Sequence, residues 1–456
     1  MAPSIKVLII GGGISGPALA FWLNKLNDQN NNYRISTTIV ERSPDLRAAG
    51  QQIDIRGQGL TALRRMGLEP AVRSKLVDER GFRIVDEQGT VKAFFAANKS
   101  GQGKQGFSAE FEIMRGDLVR ILYDATRQDN GDDGSGKGSE HKTRYLFGTS
   151  VESFEQREDG NGVQVRFSDG NQEDFDLVVG ADGQGSRTRR AMLGETGKDT
   201  NSFKWLNLYV SYFTVPKTDQ DDNCLTSLLL PRRRVVTTRV DNAKTMQAYL
   251  GVLDPKSELH EMEDALASGD MDRQKRVYAE LFKDGGWVTP RIIDGMLHSP
   301  EANNFYAQKI GQVKIDKYSK GRVVLLGDAG YCPSPITGVG TSVGLVGAYV
   351  LAGEIAKHLA HDARPSSGSL DTALKSYDTV LRPFIQKAQK LIPGIPDVIY
   401  PETAWGVWFC NLIFQAVSWL QLNRILQRFM SDDFAGGWKI PDYPELKYDS
   451  SEAPQH

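Results

Sequence analysis

A glycine-rich turn near the start of the sequence has the spacing of a phosphate-binding loop. Gly11, Gly13 and Gly16 follow the apolar run 5–10, which predicts a buried strand, and precede a helical pattern over 15–27. Gly11 permits a tight turn, Gly13 lets the backbone approach a pyrophosphate, and Gly16 lets the helix pack closely on the strand. The free N–H groups of the helix would then face the phosphates. The turn therefore predicts a dinucleotide site.

An acidic residue ends the next predicted strand, 37–40. Glu41 is placed there to accept hydrogen bonds from the ribose hydroxyls of an adenosine. It lies 25 residues after Gly16, and the polar insertion 28–32 accounts for the excess over the usual spacing of about twenty. Because NAD and FAD present the same ADP moiety, this motif alone does not choose between them.

Two later turns also end short apolar strands. One is Gly-Ala-Asp182-Gly after the run 177–179, and the other is Gly-Asp328-Ala after the run 323–326. In their order and separation, the three turns resemble the three fingerprints of the single-component FAD-dependent aromatic hydroxylases, the family that includes para-hydroxybenzoate hydroxylase. The resemblance extends from residue 5 to about residue 391. It implies FAD held without covalent attachment.

The resemblance also implies roles for residues around these turns. Asp328 would bond to the ribityl chain, and Asp182 would contact the cofactor as well. Gly338 and Gly340 would open a helix whose backbone N–H groups lie near the pyrophosphate and the isoalloxazine. A helix N-terminus at that place stabilises the negative charge of a reduced flavin.

Within this family, the sequence is most similar to the tetracycline-inactivating monooxygenases and related natural-product hydroxylases. Arg42, Arg47 and Asp54 match a segment that passes beneath the isoalloxazine, which places them near the flavin and the nicotinamide. Arg115 matches the arginine of a helix start whose side chain reaches the flavin.

The sequence departs from the family pattern at two places. Gly-Tyr stands at 330–331 where many relatives have Ala-His, and Thr-Ser stands at 341–342 where an asparagine often follows the glycine helix start. Backbone contacts with the flavin would survive the second change.

The chemistry that the resemblance implies belongs to the cofactor. NADPH or NADH would reduce FAD, molecular oxygen would form a flavin C4a-hydroperoxide, and one oxygen atom would hydroxylate or epoxidise an aromatic, polycyclic or other secondary-metabolite-like substrate. The protein need not supply a nucleophile, so no catalytic side chain is assigned. Two alternatives stay open: an FAD-dependent dehydrogenase or oxidase that inserts no oxygen, and a flavin-binding protein without turnover.

The elements that must position these groups predict an α/β protein. Its parts are a discontinuous Rossmann-like FAD-binding domain, a substrate-binding domain with a mixed or antiparallel sheet, and a C-terminal helical region. The FAD-binding domain is predicted at 1–78, 108–200 and 316–366, the substrate domain at 79–107 and 201–315, and the helical region at 367–456.

Period-two alternation over 203–215 predicts a strand that is apolar on both faces. Further strands are predicted at 225–230, 235–240 and 245–252, followed by a helical pattern over 260–282. Aromatic residues on the first strand suit a flat substrate, and the candidate contacts are Tyr209, Ser211 and Phe213.

Composition excludes several classes of protein. Charged residues make up 25% of the chain and the formal net charge is -2, which argues against a nucleic-acid partner. The three cysteines and six histidines have no metal-ligand spacing, so no metal is expected. Absence of a disulfide pattern favours a reducing, cytoplasmic location.

The C-terminal stretch 405–429 is strongly apolar but interrupted by polar residues, which makes it a poor membrane span. It predicts a helix packed on the two domains or a self-association face, with membrane-surface contact as the second interpretation.

Overall fold

The computed structural model describes nine stretches of the 456-residue chain: 4–29, 33–46, 50–97, 111–127, 143–196, 201–359, 367–391, 398–420 and 436–446. The strands in these stretches are β1 (Ser4–Ile10), β2 (Arg34–Glu41), β3 (Gln52–Asp54), β4 (Gly81–Val85), β5 (Val91–Ala96), β6 (Glu112–Met114), β7 (Arg144–Phe147), β8 (Val151–Gln156), β9 (Val163–Phe167), β10 (Gln172–Phe175), β11 (Leu177–Gly180), β12 (Phe203–Pro216), β13 (Leu225–Leu230), β14 (Arg234–Val240), β15 (Thr245–Leu253), β16 (Tyr306–Val313), β17 (Ser319–Lys320) and β18 (Val323–Leu325). The α-helices are α1 (Ser15–Gln29), α2 (Gln58–Arg65), α3 (Glu69–Arg73), α4 (Arg115–Arg127), α5 (Arg187–Leu193), α6 (His260–Ser268), α7 (Met271–Phe282), α8 (Thr289–His298), α9 (Asp328–Tyr331), α10 (Gly340–Leu359), α11 (Ser367–Ala388) and α12 (Ala404–Trp419).

A six-stranded sheet with the order β17-β18-β11-β1-β2-β7 forms the first layer, and only its edge strand β17 is antiparallel to its neighbour. Its strands are nearly continuously apolar because both faces are covered. Ile9 of β1 packs in the cluster that contains α1, α10 and α11. Leu8 packs on the opposite face, against residues of the small sheet β8–β10. The predicted α/β class and Rossmann-like sheet are confirmed.

A seven-stranded sheet with the order β16-β12-β15-β14-β13-β4-β5 forms the second region. It is mixed, since β13 and β4 pair in parallel and the other neighbours are antiparallel. Its strands come from residues 81–96, 203–253 and 306–313, so chain segments far apart in sequence meet in one sheet. Helices α6, α7 and α8 cover one face, where Met262, Tyr278 and Ile292 pack against the sheet.

The helical pattern predicted over 260–282 is confirmed and forms two helices, α6 and α7. Gly269 adopts a left-handed conformation (φ 72°) that ends α6, and the Asp270 side chain then caps α7 by accepting from the Arg273 N–H at 3.0 Å. A glycine in this conformation is the common way to end a helix.

The C-terminal helices lie on different parts of the molecule. Tyr377 and Phe384 of α11 are buried against the α10 side of the six-stranded sheet. The inner face of α12 packs on the edge of the seven-stranded sheet through Cys410, Phe414 and Val417. The predicted helix is therefore present, and its described part packs on one sheet. Residues 421–429 of the predicted stretch lie outside the described residues. In the described stretches, no helix combines the length and apolarity needed to span a membrane.

Candidate cofactor and substrate site

Four neighbouring parallel strands end at one edge of the six-stranded sheet. Ile10 at the end of β1 is paired with Val40 of β2 and Gly180 of β11, and Gly180 is paired with Leu325 of β18. The turns after these strands, which are far apart in sequence, therefore lie side by side. Ligands of open parallel sheets bind outside the carboxyl ends of the strands.

The glycine loop after β1 has two positions that exclude a side chain and one that is open. A Cβ on Gly11 (φ +119°) would lie 2.5 Å from the Ala181 carbonyl oxygen, and one on Gly16 would lie 2.2 Å from the Gly11 oxygen. A Cβ on Gly13 would meet only the Arg115 Nη2 atom, at 3.7 Å. The open side of Gly13 is the space in which a pyrophosphate would approach the backbone.

Glu41 lies beside this loop, as the motif predicts. One of its carboxylate oxygens accepts from the Gly12 N–H at 2.8 Å and the other accepts from the Ser43 N–H at 2.9 Å. Each oxygen keeps a further lone pair for a ribose hydroxyl. Arg42 follows on the surface and is exposed, and Arg47 lies outside the described residues.

The Asp182 carboxylate is engaged by the protein. It accepts hydrogen bonds from the Ser186 hydroxyl (2.6 Å), the Arg187 N–H (2.8 Å) and both the N–H and hydroxyl of Thr188 (3.1 Å each). These contacts fix the start of α5. The Asp182 backbone approaches the glycine loop, with its nitrogen 3.2 Å from a Cβ placed on Gly11. The Asp182 side chain thus has a structural role at α5, and its predicted contact with the cofactor stays a prediction.

Asp328 follows β18 at this edge of the sheet, and the space between the turns is the cofactor cleft. Asp328 is exposed to solvent, yet burial of its surroundings raises the pKa of its carboxyl above the usual range, while Arg115 opposes that rise. A carboxyl that is exposed and yet closely surrounded by protein atoms lies at the mouth of an opening in the protein. Its Oδ1 atom lies 3.8 Å from a Cβ placed on Gly340, the first residue of α10.

A serine at the start of α1 brings three of these elements into contact. Cβ atoms on Gly327 and Gly344 would lie 2.4 Å and 2.5 Å from the Ser15 hydroxyl. Because neither glycine leaves room for a methyl group, the turn after β18, the first turn of α10 and the start of α1 are packed together.

Arg115 and Asp54 complete the cleft. The aliphatic part of Arg115 packs on Gly50, with Cβ and Cδ 3.0 Å from a Cβ placed there. In the part of the chain that the structure describes, the Arg115 guanidinium forms no ion pair. Asp54 pairs with Arg56 at 2.6 Å, and its Oδ2 atom lies 3.9 Å from a Cβ placed on Gly338.

These residues fit FAD. Glu41 would hold the ribose, the open backbone at Gly13 would hold the pyrophosphate, and Asp328 would hold the ribityl chain. The start of α10 and the Arg115 guanidinium would supply positive potential to the isoalloxazine.

The expected substrate residues Tyr209 and Phe213 pack on the helix-covered side of β12, although Phe213 also lines the cavity on the other side of the strand. Tyr209 and Phe213 belong to the core between the sheet and the helices α6–α8, and Ser211, also fully buried, lies two positions along the strand from each. The opposite face carries Tyr212, which packs with Ile336 of the turn before α10. The predicted substrate contacts of Tyr209, Ser211 and Phe213 stay predictions.

A small open cavity lies on the face of β12 that carries Tyr212, between the seven-stranded sheet and residues 50–51. Three tyrosines from three adjacent strands line it, because Tyr212 is paired directly with Tyr249 and with Tyr306. The Tyr212 and Tyr306 rings are stacked at 4.8 Å, and the Tyr249 ring meets Tyr212 edge-on at 5.2 Å.

Comparisons with known proteins agree with this geometry. A family model described as an FAD binding domain matches residues 4–390. An FAD-dependent monooxygenase of Sarocladium schorii is 39% identical over 98% of this chain and 100% of its own length. A flavin-dependent monooxygenase of a Phoma species is 37% identical over 96% of this chain and 98% of its own length. The chain belongs to the FAD-dependent monooxygenases.

A solved structure supports the same family. The crystal structure of the tetracycline destructase Tet(51) is 30% identical in sequence, covers 97% of this chain and 100% of its own, and has a TM-score of 0.70. The predicted family, its FAD and its enzyme class are confirmed.

The two departures from the family pattern have structural causes in this monooxygenase. Tyr331 is fully buried, and its hydroxyl hydrogen-bonds with the Tyr377 hydroxyl at 2.8 Å, away from the cleft. The Ser342 hydroxyl accepts from the Arg56 N–H at 2.8 Å and so ties α10 to the segment after β3. Both side chains thus stabilise the elements around the flavin rather than facing it.

Sequence reasoning missed the residues that join the two sheets of the monooxygenase. The Gln247 amide donates to the Gly50 oxygen at 2.7 Å and accepts from the Tyr249 hydroxyl at 2.6 Å. The Tyr306 hydroxyl bonds to Gln51. No local motif marks these residues, because only the register of distant strands brings them together.

Proposed function

We propose that this monooxygenase uses NADPH or NADH to transfer one atom of molecular oxygen to an aromatic or polycyclic substrate bound against Tyr212, Tyr249 and Tyr306. The second oxygen atom leaves as water, with two electrons and a proton from the nicotinamide and one further proton. Bound FAD supplies the redox chemistry, so the protein's task is to bind, orient and exclude water.

The observation that carries the proposal is the position of residue 50. Gly50 packs on Arg115 at the cofactor cleft and also lines the aromatic cavity. A ligand in the cavity is therefore separated from the cleft by a single stretch of backbone. This adjacency is what oxygen transfer between a flavin and a substrate requires.

The aromatic lining of the cavity suits a flat, electron-rich ligand placed against it. The stacked pair Tyr212 and Tyr306 offers aromatic surface, and aromatic rings pack favourably in offset or edge-on arrangements. Burial raises the pKa of Tyr212 and Tyr249 above the usual range, so both phenols stay neutral at physiological pH. A neutral phenol both donates and accepts hydrogen bonds, which suits hydroxyl and carbonyl groups of a substrate.

A polycyclic substrate is further supported by the relatives. The tetracycline destructase, which resembles this chain over nearly its whole length, is named for a four-ring compound. The cavity of this chain has its own tyrosine wall, so we propose the polycyclic class rather than tetracycline itself.

The nicotinamide is proposed to reach the flavin without a domain of its own. The only dinucleotide loop that opens a strand-helix unit in the sequence is the one from Gly11 to Gly16. Arg42 is exposed beside Glu41, where a cation can meet the phosphates of a transient cofactor. Arg42→Ala should raise the KM for NADPH by a larger factor than it raises the Kd for FAD.

A direct test measures NADPH oxidation by the FAD-loaded protein with a panel of phenolic and polycyclic compounds. A substrate should stimulate oxidation and gain the mass of one oxygen atom. Stimulated oxidation that yields only hydrogen peroxide would contradict oxygen insertion and favour the oxidase alternative. No stimulation across the panel would contradict the proposed substrate class.

Two further expectations remain predictions. The outer face of α12 exposes Trp405, Trp408 and Trp419, so self-association or contact with a membrane surface through 405–429 is still expected there.

The free, buried cysteines Cys224 and Cys332 are compatible with the proposed cytoplasmic location. Fluorescent fusion of the chain tests that location.

A further inference from the structure

A buried group of charged side chains lies where the cofactor strand β3 meets the seven-stranded sheet. Glu112 of β6 is 2% exposed, Glu79 before β4 is 4% exposed and Arg239 of β14 is 9% exposed. Arg239 donates to both glutamates at 2.8 Å. Charged groups are seldom buried to this extent without partners.

Asp54 joins this group from the cofactor side. Asp54 and Glu112 are paired directly across the antiparallel ladder of β3 and β6, so their side chains lie on one face. Two carboxylates in this position repel each other. Because Glu112 is buried, this repulsion is weakly screened by water, and a proton on one of the two carboxyls relieves it.

The charges around the pair indicate which of the two carboxyls carries the proton. Asp54 is paired with the Arg56 guanidinium at 2.6 Å, whereas Glu112 is buried beside a second carboxylate, that of Glu79, which shares Arg239 with it. Burial raises the pKa of Glu112 to about 8, Arg239 opposes the rise, and the charges of Asp54 and Glu79 add to it. Tyr249 also faces Arg239 and stays neutral. Glu112 is therefore the carboxyl that holds the proton at neutral pH.

We propose that Glu112 is a positioning residue whose carboxyl proton is donated to Asp54 and holds the Asp54 carboxylate against the Gly338 turn of the flavin cleft. Arg239 anchors the other side of Glu112 to the sheet that bears the substrate cavity. The inference rests on the placement of FAD at this cleft. Loss of the proton would set two adjacent negative charges against each other and displace Asp54.

The consequence is a pH dependence of FAD affinity with a defined sign. The positioning contact exists while Glu112 is protonated, below about pH 8, and is lost as the pH rises through that value. If the ionised form binds poorly, the Kd for FAD rises about tenfold between pH 7 and pH 9.

The test measures the Kd for FAD by quenching of flavin fluorescence, from pH 6 to pH 9.5, in the wild type and in Glu112→Gln. A glutamine keeps the hydrogen-bond donor and cannot ionise, so its Kd should change less than about twofold across the range. Asp222→Asn is the matched control, because it removes a carboxylate that is paired with Arg83 in the same sheet. This control should keep the tenfold rise of the wild type.

A second variant guards against a Glu112→Gln protein that does not fold. In Asp54→Asn, an amide can hydrogen-bond to either form of Glu112, so the pH step should again shrink to within about twofold. FAD binding that is independent of pH in the wild type, or an equal step in the wild type and a folded variant, would overturn the inference. Absence of FAD binding at every pH would instead overturn the placement of the flavin.

Discussion

The cofactor cleft is lined largely by backbone, whereas the proposed substrate cavity is lined largely by side chains. Gly11, Gly13 and Gly340 leave the main chain bare at the cleft, and Gly11 has no room for even a methyl group. Tyr212 and Tyr306 form the wall of the cavity through their rings. A backbone site is fixed by the fold, while a side-chain site can change its ligand by substitution. The following variants test this difference.

The largest effect is expected at Gly11. In Gly11→Ala the new Cβ meets the Ala181 carbonyl group at 2.5 Å and the backbone stays at φ +119°, so overpacking and strain together should lower the free energy of unfolding by about 2 to 5 kcal/mol. Urea unfolding of the FAD-free protein measures the change.

Gly13→Ala is the matched control for Gly11→Ala. Its Cβ has room, so the free energy of unfolding should change by less than about 0.5 kcal/mol while FAD affinity falls. Equal losses of stability in both variants would contradict the distinction between the closed and open positions of the loop.

The second effect concerns the two charged groups of the cleft. Arg115→Met and Asp328→Asn each remove a charged contact to the flavin, and each should weaken FAD binding by about 1.5 to 3 kcal/mol, or about tenfold to a hundredfold. Calorimetric titration with FAD measures this loss. Asp182→Asn is the comparison, since its side chain caps α5: it should reduce the free energy of unfolding more than FAD affinity.

A smaller effect is expected in the cavity. Tyr306→Phe removes the hydrogen bond to Gln51 and one polar contact for substrate, so the KM for substrate should rise about threefold to tenfold with FAD affinity unchanged. Tyr209→Phe on the helix-covered face should leave the KM unaltered. A larger change in KM for Tyr209→Phe than for Tyr306→Phe would return the substrate wall to the other face of β12.

The smallest effect is expected on the outer face of α12. Trp408 is 58% exposed, so Trp408→Ser should change the free energy of unfolding by less than about 0.5 kcal/mol. The same variant should reduce sedimentation with anionic lipid vesicles or concentration-dependent self-association, whichever the wild type shows. If the wild type shows neither, the face has no such role.

The sequence predicts the backbone site well because its rules are local. Gly11 and Gly16 are required by contacts within one strand-turn-helix unit, and Glu41 ends the strand next to it. Strand β13 was predicted at its observed bounds for a similar reason, since alternation and turn residues are read along one segment.

The substrate wall could not be predicted in the same way. Both faces of β12 are apolar, so polarity does not distinguish the helix-covered face from the cavity face. A bulge near Asn207, which adopts φ 58°, also shifts the register between Trp205 and Leu208. The structural role of Asp182 depends on hydrogen bonds from the Ser186 and Thr188 hydroxyls. The contact between Asp54 and Glu112 depends on the register in which β3 and β6 pair.

The most direct test of the account is to purify the chain gently and measure its bound flavin. The three turns at one sheet edge predict a yellow protein that carries, or takes up, one FAD per chain and releases it intact on denaturation, because no covalent bond holds it. A colourless protein that takes up no added FAD, or flavin that stays attached after denaturation, would contradict the site described above.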